Sequence, residues 1–234
     1  MARGDRVEVD AAGTAARPTN RPRHPASAPL PLHTVRIRPA TVEDAEAIRS
    51  IYNVEVETTT ATFDLVPRSL EDQRAWLLAR TGAFAVVVAV DDTLDARATS
   101  SALGKAVGVA GAAAGNAAGV VVGFASLSPY KERAAYRTSV EDSVYVRQDR
   151  HGAGIGRQLV THMLDVAVLH GFHAVFARIE AGGDASLALH RACGFEMVGI
   201  EREVGRKFGR WLDVAIMQCL LHERSSETSG ERAR

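Results

Sequence analysis

Residues 149–159 read DRHGAGIGRQL and bring three glycines together directly after an apolar, β-prone segment, residues 143–146. Apolar side chains then recur at helical spacing: Ile155, Leu159, Met163 and Val166. The pattern predicts a strand, a glycine loop and a helix in that order. Glycines leave backbone N–H groups uncovered at the helix N-terminus, where a partial positive charge attracts phosphate oxygens. The stretch therefore predicts an α/β unit that holds a phosphate-bearing ligand.

Two common phosphate loops do not match this stretch. A P-loop needs a Lys-Ser/Thr pair after its last glycine, whereas Arg157 and Gln158 follow Gly156. A dinucleotide fingerprint that begins at Gly152 needs its third glycine where Arg157 stands. A glycine-rich turn that only connects a strand to a helix is the alternative that this stretch leaves open.

Five further segments, which occur in a fixed order around the glycine loop, help to decide between a phosphate-binding loop and a plain connecting turn. They are VRIRPAT at 35–41 with Asp44, ETTTATF at 57–63, EDSVYV at 141–146 preceded by Tyr136, LHRACGF at 189–195 and GRKFGRWLDV at 205–214. Together the segments resemble the GCN5-related N-acetyltransferases (GNAT), and within them the phosphinothricin or L-amino acid N-acetyltransferase branch. The acyl-CoA loop of that family, Gln/Arg-x-x-Gly-x-Gly/Ala, maps onto residues 151–156, and the resemblance runs from about residue 34 to 221.

The resemblance implies an α/β fold of the GNAT type. We expect a mixed, twisted sheet of about six to seven strands with helices on both faces and two central parallel strands that splay apart near residues 144–146 and 177–179. The residues themselves predict a first strand at 35–38, a hairpin of 84–90 with 120–127, and closing strands at 195–200 and 212–220. Thr41–Asp44 resembles a capping box with Asp in place of the usual Glu, and Ser69–Asp72 begins another helical pattern, so two helix starts are predicted.

The 234 residues fit one domain with appendages. Residues 1–33 are rich in Ala, Pro, Arg and Thr and lack apolar periodicity, so we expect a disordered tail, and the charged residues 223–234 predict a second one. The acetyltransferase domain is then expected at 34–222. Residues 91–119 are dominated by Ala, Gly and small polar residues and are predicted to be an insertion in the hairpin, because such connections usually need two to five residues.

Composition excludes several classes of function. The chain carries 28 basic and 28 acidic residues and no basic stripe, so no nucleic-acid partner is expected. No apolar run approaches the roughly 18 residues of a membrane span. Two cysteines make no disulfide framework and predict buried thiols of a cytoplasmic protein. The spacing of the histidines predicts no metal site.

The resemblance implies acetyl-CoA as cosubstrate and no metal. The pantetheine chain would lie along the splayed strand at Val144, Tyr145 and Val146, where a backbone N–H near Val144 would polarise the thioester carbonyl. The pyrophosphate would rest on the backbone amides of His151, Gly152, Ala153, Gly154, Ile155, Gly156 and Arg157.

The resemblance also implies two catalytic residues. Glu141 matches the glutamate proposed as the base that frees the amine, and the alternative is an ordinary strand-end glutamate. His190 stands where many acetyltransferases have a tyrosine that protonates the departing thiolate, and the alternative is a packed helix histidine. Asp142 is expected on the opposite face of the strand in a structural role.

Five residues match positions on the acceptor side of the family: Phe63, Lys131, Arg133, Tyr136 and Tyr145. A cation beside tyrosines suits a small amino acid that bears a carboxylate or phosphinate.

One departure from the family pattern concerns Gly183, which stands where the family commonly has asparagine. That change puts efficient use of acetyl-CoA in doubt, and the fold is unaffected.

The sequence therefore predicts an acetyl-CoA-dependent N-acetyltransferase for the amine of a small amino acid or analogue, by direct attack of the amine on the thioester. A protein N-terminus, a lysine or a polyamine is the alternative acceptor. A non-catalytic acyl-CoA-binding module is the alternative from another class. Because the family often dimerises, a homodimer is expected.

Overall fold

The computed structural model describes residues 35–94 and 119–222. Both predicted tails, 1–33 and 223–234, lie outside the described residues, as does most of the predicted insertion at 91–119. Within the described ranges no helix is long and apolar enough to cross a membrane.

In the described ranges seven strands form one mixed sheet in the order β1-β2-β3-β4-β5-β7-β6. Its strands are β1 Arg36–Pro39, β2 Val86–Asp91, β3 Val120–Pro129, β4 Ser139–Val146, β5 Ala174–Glu180, β6 Glu196–Lys207 and β7 Arg210–Leu220. Its helices are α1 Ala45–Thr58, α2 Leu70–Leu78, α3 Ile155–Leu169 and α4 Asp184–Ala192. The expected α/β fold, a sheet of six to seven strands, is confirmed.

Capping boxes form at both predicted helix starts: Thr41 caps the 3-10 turn Val42–Asp44 that leads into α1, and Ser69 caps α2. The Asp44 carboxylate accepts from the Thr41 N–H at 2.8 Å and forms an ion pair with Arg38 at 2.7 Å, so it joins the helix start to β1. At the second start, the Ser69 hydroxyl accepts from the Asp72 N–H at 3.0 Å. These bonds satisfy donors that a helix N-terminus leaves without intrahelical partners.

Helices cover both faces of the sheet and divide the core into two clusters. The cluster under α3 and α4 includes Val140, Leu159, Met163, Val175 and Leu187. The cluster under α1 and α2 includes Ile48, Tyr52, Leu77, Val88 and Phe124. Each fully buried aliphatic side chain contributes roughly 1.5–3 kcal/mol to folding. The two clusters therefore fix β4, which supplies side chains to both, between opposing helix layers.

β4 and β5 are parallel neighbours that pair over only three residues. Ser139, Val140 and Glu141 stand opposite Ala174, Val175 and Phe176. Beyond Glu141, β4 continues against β3 alone, and β5 continues against β7 alone. The predicted splay is confirmed, and among the described residues one edge of β4 has no strand partner from Asp142 to Val146.

The closing strands are longer than the sequence predicted. β6 and β7 meet in a tight turn at Phe208 and Gly209, whose φ angles of 50° and 74° are both left-handed. Pairing therefore continues to Lys207 and Arg210 instead of ending near residues 200 and 212. The β6 register also shifts between Glu201 and Gly205, so this strand carries an irregularity that its alternation did not indicate.

Candidate active site

The glycine loop presents a row of open backbone donors at the start of α3. Gly152 and Gly154 have φ angles of 77° and 80°, and Gly154 is the N-cap of the helix. Within the described part of the chain, the N–H groups of residues 152–157 donate no backbone hydrogen bond. Those of His151 and Gln158 on either side do, to Gln148 and Gly154. Six neighbouring amides at a helix N-terminus suit a pyrophosphate.

Side chains in and around the glycine loop pack against the rest of the protein. Ala153 and Ile155 are buried in the core. A Cβ on Gly156 would lie 3.0 Å from Leu189 Cδ2, so α4 packs closely on this glycine. His151 Nε2 lies 2.8 Å from the Val146 carbonyl oxygen, which closes the loop onto the end of β4. The loop thus keeps its amides available while its side chains contact protein.

Tyr145 points to the α1 side of the sheet, away from the cluster that contains Val144 and Val146. Its ring stacks on Phe124 with centroids 5.2 Å apart and meets Tyr52 edge-on at 5.1 Å. Burial raises the pKa of the Tyr145 hydroxyl. The hydroxyl is therefore neutral at physiological pH, and the ring forms part of the wall between β4 and α1.

Glu141 lies at the vertex where β4 and β5 separate. It is the last paired residue of β4, opposite Phe176 on β5 and Ser128 on β3. Burial raises the pKa of the Glu141 carboxyl, and the charge of Arg178 opposes that rise. A half-buried carboxylate with a raised pKa beside an open strand edge has the properties of a general base.

His190 is not brought to Glu141 but to Asp142 on the other face of β4. Its Nε2 lies 3.1 Å from Asp142 Oδ2 and its Nδ1 lies 2.8 Å from the Ser186 carbonyl oxygen. The imidazole is only 2% exposed and packs edge-on against Phe195. Burial opposes protonation, but the hydrogen bond and charge of Asp142 outweigh it and raise the pKa of His190.

Three of the predicted acceptor residues line one open cleft. Lys131, Arg133 and Tyr136, together with Glu132, border a cavity of about 420 Å³. Lys131 Nζ lies 4.8 Å from the ring centroid of Tyr130 and 5.4 Å from that of Tyr136, within cation–π range. Tyr130 in turn stacks on Phe176 at 4.1 Å, which connects this cleft to the strand partner of Glu141.

Phe63 occupies a separate position on the segment between α1 and α2, residues 59–69. Its ring lies against Gly205, where an added Cβ would come within 2.1 Å of Phe63 Cε2. The ring is 38% exposed. Phe63 therefore joins this segment to β6 and keeps part of its surface open to a ligand.

Four polar residues near the site were not found from the sequence: Glu55, Lys207, Arg178 and Glu201. Glu55 and Lys207 are buried, and Arg178 forms a two-bond ion pair with Glu201. One local signal existed for Glu55, which follows Ile48, Ile51 and Tyr52 on the buried face of α1. The other three residues make contacts between elements that are distant in sequence: Arg178 of β5 pairs with Glu201 of β6, and Lys207 of β6 donates to the Thr62 carbonyl.

Gly183 is the N-cap of α4 and lies in a tight space. Its N–H donates to the Glu180 carbonyl at 2.8 Å, and an added Cβ would lie 3.0 Å from that same oxygen. A side chain at this position requires the backbone to give way by a few tenths of an ångström. Among the described residues, no group of three or more His, Cys, Asp or Glu side chains is placed to hold a metal ion.

The fold and the loop agree with a match to a known family. The model of the Acetyltransferase (GNAT) family matches residues 48–195, more than half of the chain. The chain belongs to the GNAT acetyltransferase family. The matched range contains the splayed strands, the amide loop, Glu141 and His190, so this acetyltransferase carries the family's core elements at the site described above.

Curated relatives and solved structures place the acetyltransferase more narrowly. It is 39% identical over 186 residues to the L-methionine sulfoximine/L-methionine sulfone acetyltransferase of Pseudomonas paraeruginosa, covering 79% of this chain and 94% of the relative. It is 37% identical over 183 residues to the phosphinothricin N-acetyltransferase of Streptomyces coelicolor, covering 77% and 93%. The crystal structure of a phosphinothricin acetyltransferase from Sinorhizobium meliloti in complex with AcCoA matches with a TM-score of 0.66 and 34% identity, covering 80% and 88%. The protein is an N-acetyltransferase.

Proposed function

We propose that this acetyltransferase moves an acetyl group from acetyl-CoA to the α-amine of a small amino acid or analogue, such as phosphinothricin, methionine sulfoximine or methionine sulfone. The observation that carries the proposal is the position of Glu141 at the vertex of the splayed strands, beside an open edge that leads to six open amides. The names of the similar proteins point to the same acceptors.

The residues present fit acetyl-CoA. The amides of residues 152–157 would hold the pyrophosphate, and the open edge of β4 at Val144, Tyr145 and Val146 would hold the pantetheine chain. When bound, acetyl-CoA supplies an activated thioester. Gly183 lacks the amide side chain common in the family, so cofactor binding here relies on backbone donors. The proposed chemistry requires no metal.

Glu141 is the proposed general base. An α-ammonium group has a pKa near 7.7–8.0 in peptides, so a carboxylate with a raised pKa is a sufficient acceptor for its proton. The freed amine then attacks the thioester carbonyl directly, and no acyl-enzyme forms. Cys193 is buried in the core and is not placed in this chemistry.

His190 is the proposed source of the proton for the departing thiolate. Its raised pKa favours the protonated ring, in which both nitrogens donate, one to Asp142 and one to Ser186. Protonation of the thiolate therefore requires that the Nε2–H leave Asp142 and turn to the sulfur. Its burial also suits the alternative of a packed histidine that only holds α4 against β4. His190→Asn separates the two roles, because a structural role changes stability without changing the rate of thiolate release.

The acceptor is proposed to bind in the cleft of Lys131, Arg133 and Tyr136. Phe63 and Tyr145, which lie outside this cleft, are proposed as apolar contacts of the same acceptor. An arginine pairs with a carboxylate or phosphinate through two parallel hydrogen bonds. A polyamine acceptor would favour carboxylates, whereas this cleft has two cations and a single carboxylate, Glu132.

The test is release of thiol from acetyl-CoA against a panel of amines. The panel holds phosphinothricin, methionine sulfoximine, methionine sulfone, the common amino acids, spermidine and a lysine peptide. Turnover confined to the amino-acid analogues supports the proposal. Turnover with only the peptide or spermidine would mean that the acceptor is a protein or a polyamine instead of an amino acid. CoA binding without turnover would favour a non-catalytic binding module.

We further propose a cytoplasmic homodimer. Among the described residues β6 is an edge strand of the sheet, and it exposes four apolar side chains, Met197, Val198, Ile200 and Val204. Exposed apolar strand edges are sites of pairing with another chain. Both cysteine side chains are buried, as in proteins of a reducing compartment. Sedimentation velocity of the purified protein measures the oligomeric state directly.

A further inference from the structure

Glu55 lies in the last turns of α1, where three separate segments of the molecule meet. Its side chain is buried, with 7% of the residue exposed. A buried carboxylate is unfavourable unless other groups donate hydrogen bonds to it. The donors come from two different directions, and a third segment binds the backbone of the same residue.

The first contact leads to the cofactor loop. Gln148 Nε2 donates to Glu55 Oε1 at 3.2 Å across 93 positions of sequence. Gln148 begins the 3-10 turn Gln148–Arg150, and its carbonyl accepts from the His151 N–H at 3.2 Å. The same residue thus touches Glu55 with its side chain and the first residue of the loop with its backbone.

The second contact leads to the acceptor side. Glu55 Oε2 accepts from the Thr59 hydroxyl at 2.7 Å, and that hydroxyl accepts from the Ala61 N–H at 3.1 Å. Glu55 therefore orders the start of the segment between α1 and α2 that carries Phe63.

The third contact ties this arrangement to β6. The buried Lys207 ammonium donates to the Thr62 carbonyl at 2.8 Å and to the Glu55 carbonyl at 3.4 Å. Residues 59–63 are thus held between Glu55 on one side and Lys207 with Gly205 on the other.

We propose that Glu55 is a positioning residue that couples the cofactor loop to the acceptor segment, so that a ligand at one stabilises the ligand-binding arrangement of the other. The inference deepens the proposed function and rests on it for the identity of the acceptor. The physical basis is that ordering a shared contact is needed only once when two ligands bind together.

The test uses CoA as the probe and Gln148→Ala as the variant. Gln148 is exposed, so its truncation removes the contact with Glu55 and leaves the core intact. CoA is expected to slow amide hydrogen exchange of residues 59–63 about fivefold in the wild type and not in Gln148→Ala. Thr59→Val, which removes the other side-chain bond to Glu55, is expected to behave in the same way.

The matched control is Arg147→Ala. Arg147 adjoins Gln148 but pairs with Asp149, so its truncation is expected to keep the wild-type response to CoA. A second readout is the affinity for CoA with and without saturating methionine sulfone, a pair that cannot react. Methionine sulfone is expected to raise the affinity for CoA about fivefold in the wild type and to leave it nearly unchanged in Gln148→Ala.

The coupling role of Glu55 and the proposed acceptor are tested independently of each other. If residues 59–63 respond to CoA equally in the wild type and Gln148→Ala, or in neither, the coupling role is wrong even when the enzyme acetylates methionine sulfone. A lower melting temperature with an unchanged response assigns Glu55 a structural role alone. Protection of residues 59–63 without turnover of any amine keeps the coupling and removes the proposed acceptor.

Discussion

Glu141 illustrates how one residue takes its chemistry from its place in a sheet. It is the last residue of β4 that pairs with β5, so it is half-buried and stands beside an open strand edge. Burial raises the pKa of its carboxyl, while Arg178 lowers it and Asp142 and Glu201 add to the rise. The proton affinity of the proposed base is thus set by neighbours on β4, β5 and β6.

Glu141→Gln is expected to lower kcat by about a hundredfold or more, because the glutamine amide is not a base and cannot take the proton from the substrate ammonium group. CoA affinity is expected to stay within twofold, since Glu141 does not contact the amide loop. Steady-state kinetics and CoA titration measure both. Glu57→Gln, an exposed glutamate on α1, is the control for loss of charge, and an unchanged kcat in Glu141→Gln would exclude the base role.

The fall of kcat/KM at acid pH is expected to depend on the same charged neighbours of Glu141. Activity needs the Glu141 carboxylate, so it is lost as pH falls through a pKa that lies above the usual glutamate value. Arg178→Ala removes a nearby positive charge and shifts this fall of kcat/KM to higher pH, whereas Glu201→Gln removes a negative charge and shifts it to lower pH. Opposite shifts support the assignment, and equal shifts in one direction contradict it.

At the scale of elements, the glycine loop and the pairing of Asp142 with His190 fix how β4 meets its two helices. The loop turns the chain from β4 into α3 with two left-handed glycines. Asp142 reaches across the core to α4 through His190, with both side chains almost fully buried. These contacts orient α3 and α4 on one face and leave Glu141 on the other.

Gly152→Ala and Gly171→Ala form a matched pair for the loop. The two glycines have φ angles of 77° and 75°, and an added Cβ meets nothing within 4 Å at either. Each substitution is expected to destabilise the fold by about 1 kcal/mol, because a side chain is strained in the left-handed region. Only Gly152→Ala should weaken CoA binding, and calorimetry of binding together with thermal unfolding separates the two effects.

The Asp142–His190 pair is expected to make stability depend on pH. Because the folded state raises the pKa of His190, its contribution is complete below the unfolded value near 6.5 and is lost as pH rises through the folded value. Asp142→Asn removes the charge that raises this pKa. Its melting temperature should fall more at pH 6 than at pH 9 relative to the wild type, and an equal fall at both would show that the pair is not ionised.

At the scale of the whole molecule, β6 serves both the interior and the surface. Lys207 and Gly205 hold the segment that carries Phe63, while the earlier part of the strand exposes apolar side chains at the sheet edge. A second chain that pairs with this edge would therefore stiffen the strand that supports the acceptor side.

Ile200→Lys is expected to convert the proposed dimer to a monomer, because a charge at an exposed strand edge opposes pairing with another chain. Sedimentation velocity measures the change in mass. Leu169→Lys is the control, since Leu169 is 81% exposed at the end of α3 and outside β6. A wild type that sediments as a monomer, or a dimer that survives Ile200→Lys, would exclude this edge as the interface.

The sequence predicted the features that local patterns encode. Periodicity and glycine spacing predicted the β4–loop–α3 unit and the β2–β3 hairpin, and capping residues predicted both helix starts. The resemblance implied that the central strands splay apart near residues 144–146 and 177–179, and the structure ends their pairing at Glu141 and Phe176. The length of β6 and β7 escaped prediction because their pairing extends through a turn at Phe208, a residue type that seldom takes a left-handed φ.

What the sequence by itself determined is the order of elements and the amide loop, since these follow from residue types at fixed local spacing. The acetyltransferase family followed from the resemblance of its ordered segments to known proteins. The tertiary structure alone decided that His190 meets Asp142 instead of Glu141, that Gln148 meets Glu55, and that Arg178 pairs with Glu201. Each of these contacts joins residues that are remote in sequence. They depend on how helices and strands pack, and the packing is set by both core clusters together and by no single segment.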